Sequence, residues 1–274
     1  MERPLFFDLA AALGVFMLWL LARQLFLFYD LSPLEASVQL LLMGALFASV
    51  YLGPGKSEAQ TGRRARSGVR GLGAQWPWAI LSALSIGVLL MLLVEFYARA
   101  FPPAAVDETY TAYLARPYGI VPPILGTAIV GALVSEVIFR GWVQGRLTHA
   151  FGPEVAIINT AALYAVANLD AWFIPAYFVL GLFAGYSVYL TRSVWSAVLF
   201  SVAFHGSLFF ADAYLGDPDL PTSALATPEG QRAAVAALFA AAMLTFFAFT
   251  RQRRLHDASA EDEPPHAGSD AAAH

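Results

Sequence analysis

Residues 127–147 read TAIVGALVSEVIFRGWVQGRL. The stretch matches the roughly 20 residues that a helix needs to cross the hydrocarbon of a bilayer. Its apolar surface is interrupted near the middle by Glu136 and Arg140, with Ser135 beside the carboxylate. The two charges stand four residues apart on one helical face. An ionisable side chain at membrane depth costs about 2.5–3.5 kcal/mol. Two readings therefore stand together: a self-neutralising Glu–Arg pair that fixes helix packing, or part of a functional site.

The rest of the chain extends the same reading. Of 274 residues, 58% are hydrophobic and 13% charged, and the mean hydropathy is +0.61. A soluble domain carries about 25% charged residues, so lipid is the main solvent expected. Eight segments meet or approach the length test: 5–28, 33–53, 77–100, 120–147, 154–170, 172–190, 194–213 and 230–250. The fold class expected is an all-α, polytopic transmembrane bundle of about eight helices. The first segment has no basic leader and is too long for a signal core, so a retained helix is expected.

Charge orients the bundle. With the N-terminus in the cytoplasm, one side collects Arg3, the run KSEAQTGRRARSGVRG (56–71), Arg146, Arg192 and Arg251–Arg254. The other side carries only Arg23, Arg99, Arg116 and Arg232 as basic residues, among mostly acidic loops. This bias predicts both termini inside; the short loops and the lack of a cleavable signal suggest a multi-pass protein of a bacterial-type inner membrane. The basic loop within 54–76 suits anionic lipid headgroups. Residues 101–119, with Pro102, Pro103, Tyr110, Tyr113 and Pro117, are expected at the outer interface. The tail from His256 to His274 is polar and acidic, which predicts disorder. The net charge of −4 carries no basic excess, so no nucleic-acid partner is expected. The chain has no cysteine, which excludes disulfides, zinc–thiolate sites and thiol catalysis.

Two further helices carry polar pairs at the same spacing. Tyr164 and Asn168 lie in the fifth segment; Ser201 and His205 lie in the seventh. Taken alone, a Tyr–Asn pair hydrogen-bonds across helices and a lone His is a satisfied polar residue. Three helices, each presenting a pair at i and i+4, can converge on one buried site.

Two stretches resemble the CPBP family. These are the CAAX prenyl endopeptidases and the bacteriocin-processing or immunity proteins, which act as glutamate-type intramembrane proteases. SEVIFRGWVQGRL (135–147) resembles the family's first motif, E-E-x-x-x-R. GLFAGYSVYLTRSVWSAVLFSVAFH (181–205) resembles the stretch that leads to its last motif. The order and helix placement agree across about 77–215. The domain organisation implied is 1–76 as two helices and a basic loop, 77–215 as the family-like core, 216–250 as a last loop and helix, and 251–274 as a tail.

The resemblance also implies a chemistry from which this chain departs. In the family, the first Glu of the pair and a His in F-x-x-x-H activate a water, and H-x-x-x-N or H-x-x-x-D resembles an oxyanion-stabilising pair. Here Ser135 aligns with the first Glu, and Glu136 is the second. Tyr164-Ala-Val-Ala-Asn168 aligns with F-x-x-x-H. Ser201 and His205 align with the third motif; an alternative register puts His205 and Phe209 there. The residual candidates are Glu136 as base, with His205, Asn168 and Ser201 as polarising donors. No cofactor and no metal are expected, since His205 alone among the five His lies mid-membrane. Three functions follow. The first is an endopeptidase homologue of reduced or altered activity on a membrane-associated peptide or protein. The second is an inactive homologue that binds a membrane partner or confers immunity. The third is a small transporter.

Overall fold

The computed structural model describes residues 72–101, 124–168, 170–210 and 236–251, with scattered positions between 10 and 44. The two hairpin segments expected at 5–28 and 33–53, the basic loop and the tail lie largely or wholly outside the described residues. Every regular element among those described is helical. We label them α1 (Trp76–Ala100), α2 (Ile124–Phe151), α3 (Pro153–Ala167), α4 (Ile174–Thr191), α5 (Val194–Phe210) and α6 (Ala236–Arg251). These match the last six apolar segments of the sequence. Three spans, Trp76–Val94, Ile124–Phe151 and Ile174–Thr191, are long and apolar enough to cross a membrane; α3, α5 and α6 are shorter apolar helices. The 15 residues of α3 rise only about 22 Å, less than the roughly 30 Å of a bilayer core.

Helix ends are set by local chemistry. Pro77, Pro153 and Pro175 sit in the first turns of α1, α3 and α4, where a missing N–H costs nothing. Gly152 alone separates α2 from α3, at φ +85°. That conformation is open to glycine and reverses the chain, so α2 and α3 run antiparallel. Asn168 stands just past α3 as its C-terminal cap, one turn earlier than the expected end at 170. Asp170 instead starts the next turn, its Oδ1 accepting the backbone N–H groups of Trp172 and Phe173.

The α4–α5 turn explains much of the second motif. Arg192 caps α4 in the left-handed conformation (φ +52°) and donates its N–H to the Val188 carbonyl at 2.7 Å. Around it the hydroxyls form a closed clasp. Ser187 donates to Ser196 at 3.0 Å, Thr191 and Ser196 lie 3.1 Å apart, and the Ser193 N–H donates to Thr191 at 3.2 Å. All four side chains are buried, and each hydroxyl named has a partner within the turn or the helix before it.

Packing is close where residues are small. α5 lies along α1, and α4 along α3. A Cβ on Gly87 would meet the Ala203 backbone at 2.8 Å, and one on Gly181 would meet Ala161 at 2.9 Å. Small residues let helices approach in lipid, where association rests on contact rather than on expulsion of water. Ile86, Phe139, Leu180, Phe200 and Phe204 fill the centre. Large apolar side chains such as Ile158, Val166, Leu244 and Phe247 point outward, more than half exposed. This inverts the surface of a soluble protein and suits contact with lipid. At the polar end of α2, the Arg146 guanidinium lies 4.5 Å from the Trp142 ring centroid, an arrangement suited to the bilayer interface.

Candidate active site

Glu136 ends the one regular α-helical turn of mid-α2, Ala132–Glu136, which wider π-type turns flank at Ile124–Gly131 and Val137–Val143. Such wide turns in a helix are frequent at functional sites. The side chain is fully buried. Its Oε2 lies 3.1 Å from the Nε of Arg140, whose side chain is equally sealed. The two atoms are close, but neither makes a well-aligned hydrogen bond there. Its Oε1 accepts the Ser201 hydroxyl at 2.5 Å across the α2–α5 interface.

Arg140 is held on two further sides. Its guanidinium carbon lies 5.1 Å from the centroid of the Tyr164 ring on α3, a cation–π distance. Its Nη2 would stand 3.2 Å from a Cβ on Gly181 of α4. Any side chain at 181 would press on both Ala161 and the guanidinium. Glycine at 181 thus lets a charged side chain reach the backbone of a neighbouring helix.

The other sequence-predicted residues stand around this cluster. The Ser135 hydroxyl donates back to the Ala132 carbonyl at 3.2 Å. Asn168 donates its amide N–H to the Tyr164 carbonyl at 2.9 Å. His205 Nδ1 lies 2.8 Å from the Ser201 carbonyl. A carbonyl only accepts, so Nδ1 carries a proton toward it. Tyr177 of α4 links the rings, with centroids 6.0 Å from Tyr164 and 5.9 Å from His205. Glu136, Arg140, Tyr164 and Ser201 therefore form one contiguous cluster. Asn168 and His205 are tied to it through backbone carbonyls of Tyr164 and Ser201. In the alternative register of the third motif, Phe209 is half-buried near the end of α5.

Three site residues escaped sequence reading. Gln144 donates its side-chain N–H to the Gly185 carbonyl at 2.9 Å, and Thr160 is fully buried on α3. Each lies one turn from a residue that was singled out: Gln144 four beyond Arg140, Thr160 four before Tyr164. Extending the i, i+4 search by one turn would have found both. Tyr177, an aromatic among apolar residues, carried no such signal. Among the described residues, no three His, Cys, Asp or Glu side chains gather as a metal would require.

Fold and site together define a multi-pass, α-helical membrane protein built around a buried carboxylate–guanidinium–hydroxyl cluster. Residues 117–207 match the family model described as type II CAAX prenyl endopeptidase Rce1-like. That stretch, about a third of the chain, is Rce1-like and so of CPBP type, and it contains all seven motif residues discussed above. Over 144 residues the chain is also 27% identical to an MFS thioclapurine efflux transporter of Claviceps purpurea. This likeness takes in 52% of the chain but only 25% of that relative, so the chain spans a small part of the transporter's length. No solved structure gives a significant match.

Proposed function

We propose that this protein is a membrane-embedded CPBP-type homologue that engages a membrane-associated peptide or protein without performing the family's hydrolysis. The observation that carries this reading is the engagement of Glu136. The carboxylate is fully buried, with one oxygen on the Ser201 hydroxyl and the other against Arg140. Hydrolysis by an activated water needs a base that reaches the proton of that water. Ser135 is no base at neutral pH, and its hydroxyl is turned onto its own helix. Asn168 stands where the resemblance implies a histidine, and an amide takes up no proton usefully. What remains is an ionic core that holds α2, α3 and α5 in one arrangement. Its role is then partner binding or immunity in the bilayer.

A second reading, an endopeptidase of reduced or altered activity, is favoured by His205. Its ring lies beside that of Tyr177 next to the cluster, and an imidazole is chemically able to polarise a carbonyl or accept a proton. In that reading Glu136 is the base, and His205, Asn168 and Ser201 polarise the scissile carbonyl. A third, a small transporter, draws on the partial likeness to an efflux transporter. The positive-inside bias supports cytoplasmic termini, and the short loops suit a bacterial-type inner membrane.

The test uses the purified protein in liposomes with a membrane-tethered peptide, alongside Glu136→Ala and His205→Ala. We expect no cleavage by the wild type, and a membrane partner that co-purifies from native membranes. Cleavage by the wild type that both variants abolish, at unchanged folded levels, would refute the proposal in favour of the second reading. Solute flux in the same liposomes would favour the third.

A further inference from the structure

Beside the Glu136–Arg140 pair, three helices bring buried polar atoms together. Arg140, Gln144 and Thr160 are at most 4% exposed. The Nη1 and Nη2 of Arg140, the Oε1 of Gln144 and the Oγ1 of Thr160 are all buried and have no hydrogen-bond partner among the described residues. They stack about one turn apart along α4. A Cβ on Gly185 would touch both Gln144 Oε1 (3.0 Å) and Ile157 (3.1 Å), and one on Gly181 both Arg140 Nη2 and Ala161. Thr160 lies between Ile157 and Ala161 in sequence and one turn from Tyr164, whose ring faces Arg140. The unpaired atoms therefore share the junction of α2, α3 and α4.

Thr160 is telling in its own right. Hydroxyls elsewhere in these helices, at Ser85, Thr191, Ser207 and Thr245, donate to the carbonyl four residues back. Thr160 makes no such bond. Gln144 is likewise fixed: its N–H donation to Gly185 commits the Oε1 to the junction. Buried polar groups in native proteins find partners almost without exception, and four guanidinium N–H donors beside two oxygen acceptors need a ligand that both donates and accepts.

We propose that this junction is an internal water site, which hydrates Arg140 from the side that Glu136 does not cover. An anion fits worse. Glu136 already neutralises Arg140, so a second negative charge would sit uncompensated at membrane depth and would face the Gln144 oxygen. Water matches the mixed donors and acceptors, and a buried water takes about two to four such partners. Hydration here satisfies guanidinium N–H donors that Glu136 does not reach, and it does so whether or not the chain hydrolyses peptides.

The experiment is water-edited solid-state NMR of the full chain in lipid bilayers, with labelled arginine, threonine and isoleucine. Water cross-peaks should appear at the Arg140 guanidinium and at Thr160 within the build-up time of the exposed Arg192, and not at Ile86 in the apolar core. Thr160→Val combined with Gln144→Leu should lose the Arg140 cross-peak. Wild-type signals at Arg140 and Thr160 that rise no faster than that of Ile86 would overturn the proposal, even if the variant failed to fold. A cross-peak at Arg140 that survives in a folded double variant would also overturn it, because the water would then lie elsewhere.

Discussion

Replacing Arg140 by Met leaves Glu136 as a buried carboxylate with only the Ser201 hydroxyl to stabilise it. At the observed separation of 3.1 Å, the attraction is worth about 5 kcal/mol at an effective dielectric of 20. Removing one partner of a buried pair costs about 3–5 kcal/mol, because the remaining charge stays desolvated. For a chain of this size that corresponds to a fall in Tm on the order of 6–20 °C. Glu136→Gln should cost a similar amount by stranding Arg140. Combining the two changes removes both charges, and the double variant should recover most of the loss, since neutral replacement of a buried pair is often tolerated. The assay is thermal unfolding of the purified protein in detergent, followed by the fluorescence of its six tryptophans. Additive losses in the double variant would mean that the pair is not coupled. A neutral Arg140→Met would show that Glu136 is not charged and sealed as described. Either result refutes the reasoning.

Other changes probe separate contacts by the same unfolding measurement. Ser201→Ala removes a hydrogen bond to a charged group and should cost about 1.5–3 kcal/mol, whereas Ser135→Ala, whose hydroxyl serves only its own helix, should cost far less. Gly87→Ala places a methyl 2.8 Å from the Ala203 backbone, and such overpacking should cost about 1–3 kcal/mol. Thr191→Val strips the centre from the α4–α5 clasp and should cost about 1–3 kcal/mol through the Ser193 N–H it leaves unpaired.

The helices were legible because a membrane helix announces itself by length and composition. Apolar runs at 77–100, 120–147, 172–190 and 194–213 became α1, α2, α4 and α5 with ends shifted by a few residues. Asn168 shows where such reading stops: the apolar pattern continues past the helix end, and only the chain reversal around Asp170 sets the cap. The site was partly legible for a similar reason. The i, i+4 spacing of Glu136 and Arg140 forces them together on one helix, whatever surrounds them. Which residue of α5 meets Glu136 is a matter of register between helices. Gly87 beneath Ala203 sets how closely α5 approaches α1, and no spacing within α5 reveals that Ser201, rather than His205, supplies the contact. Gln144 stayed hidden one turn beyond the Glu136–Arg140 pair, and its partner, the Gly185 carbonyl, belongs to a different helix.

The hydroxyl clasp at the end of α4 bears on how the protein is made. Two residues, Arg192 and Ser193, join α4 to α5, and every polar group named in the turn is satisfied by its neighbours. So short a connection holds α4 and α5 as a hairpin whose turn closes on local contacts alone, and the pair can form without help from the rest of the bundle.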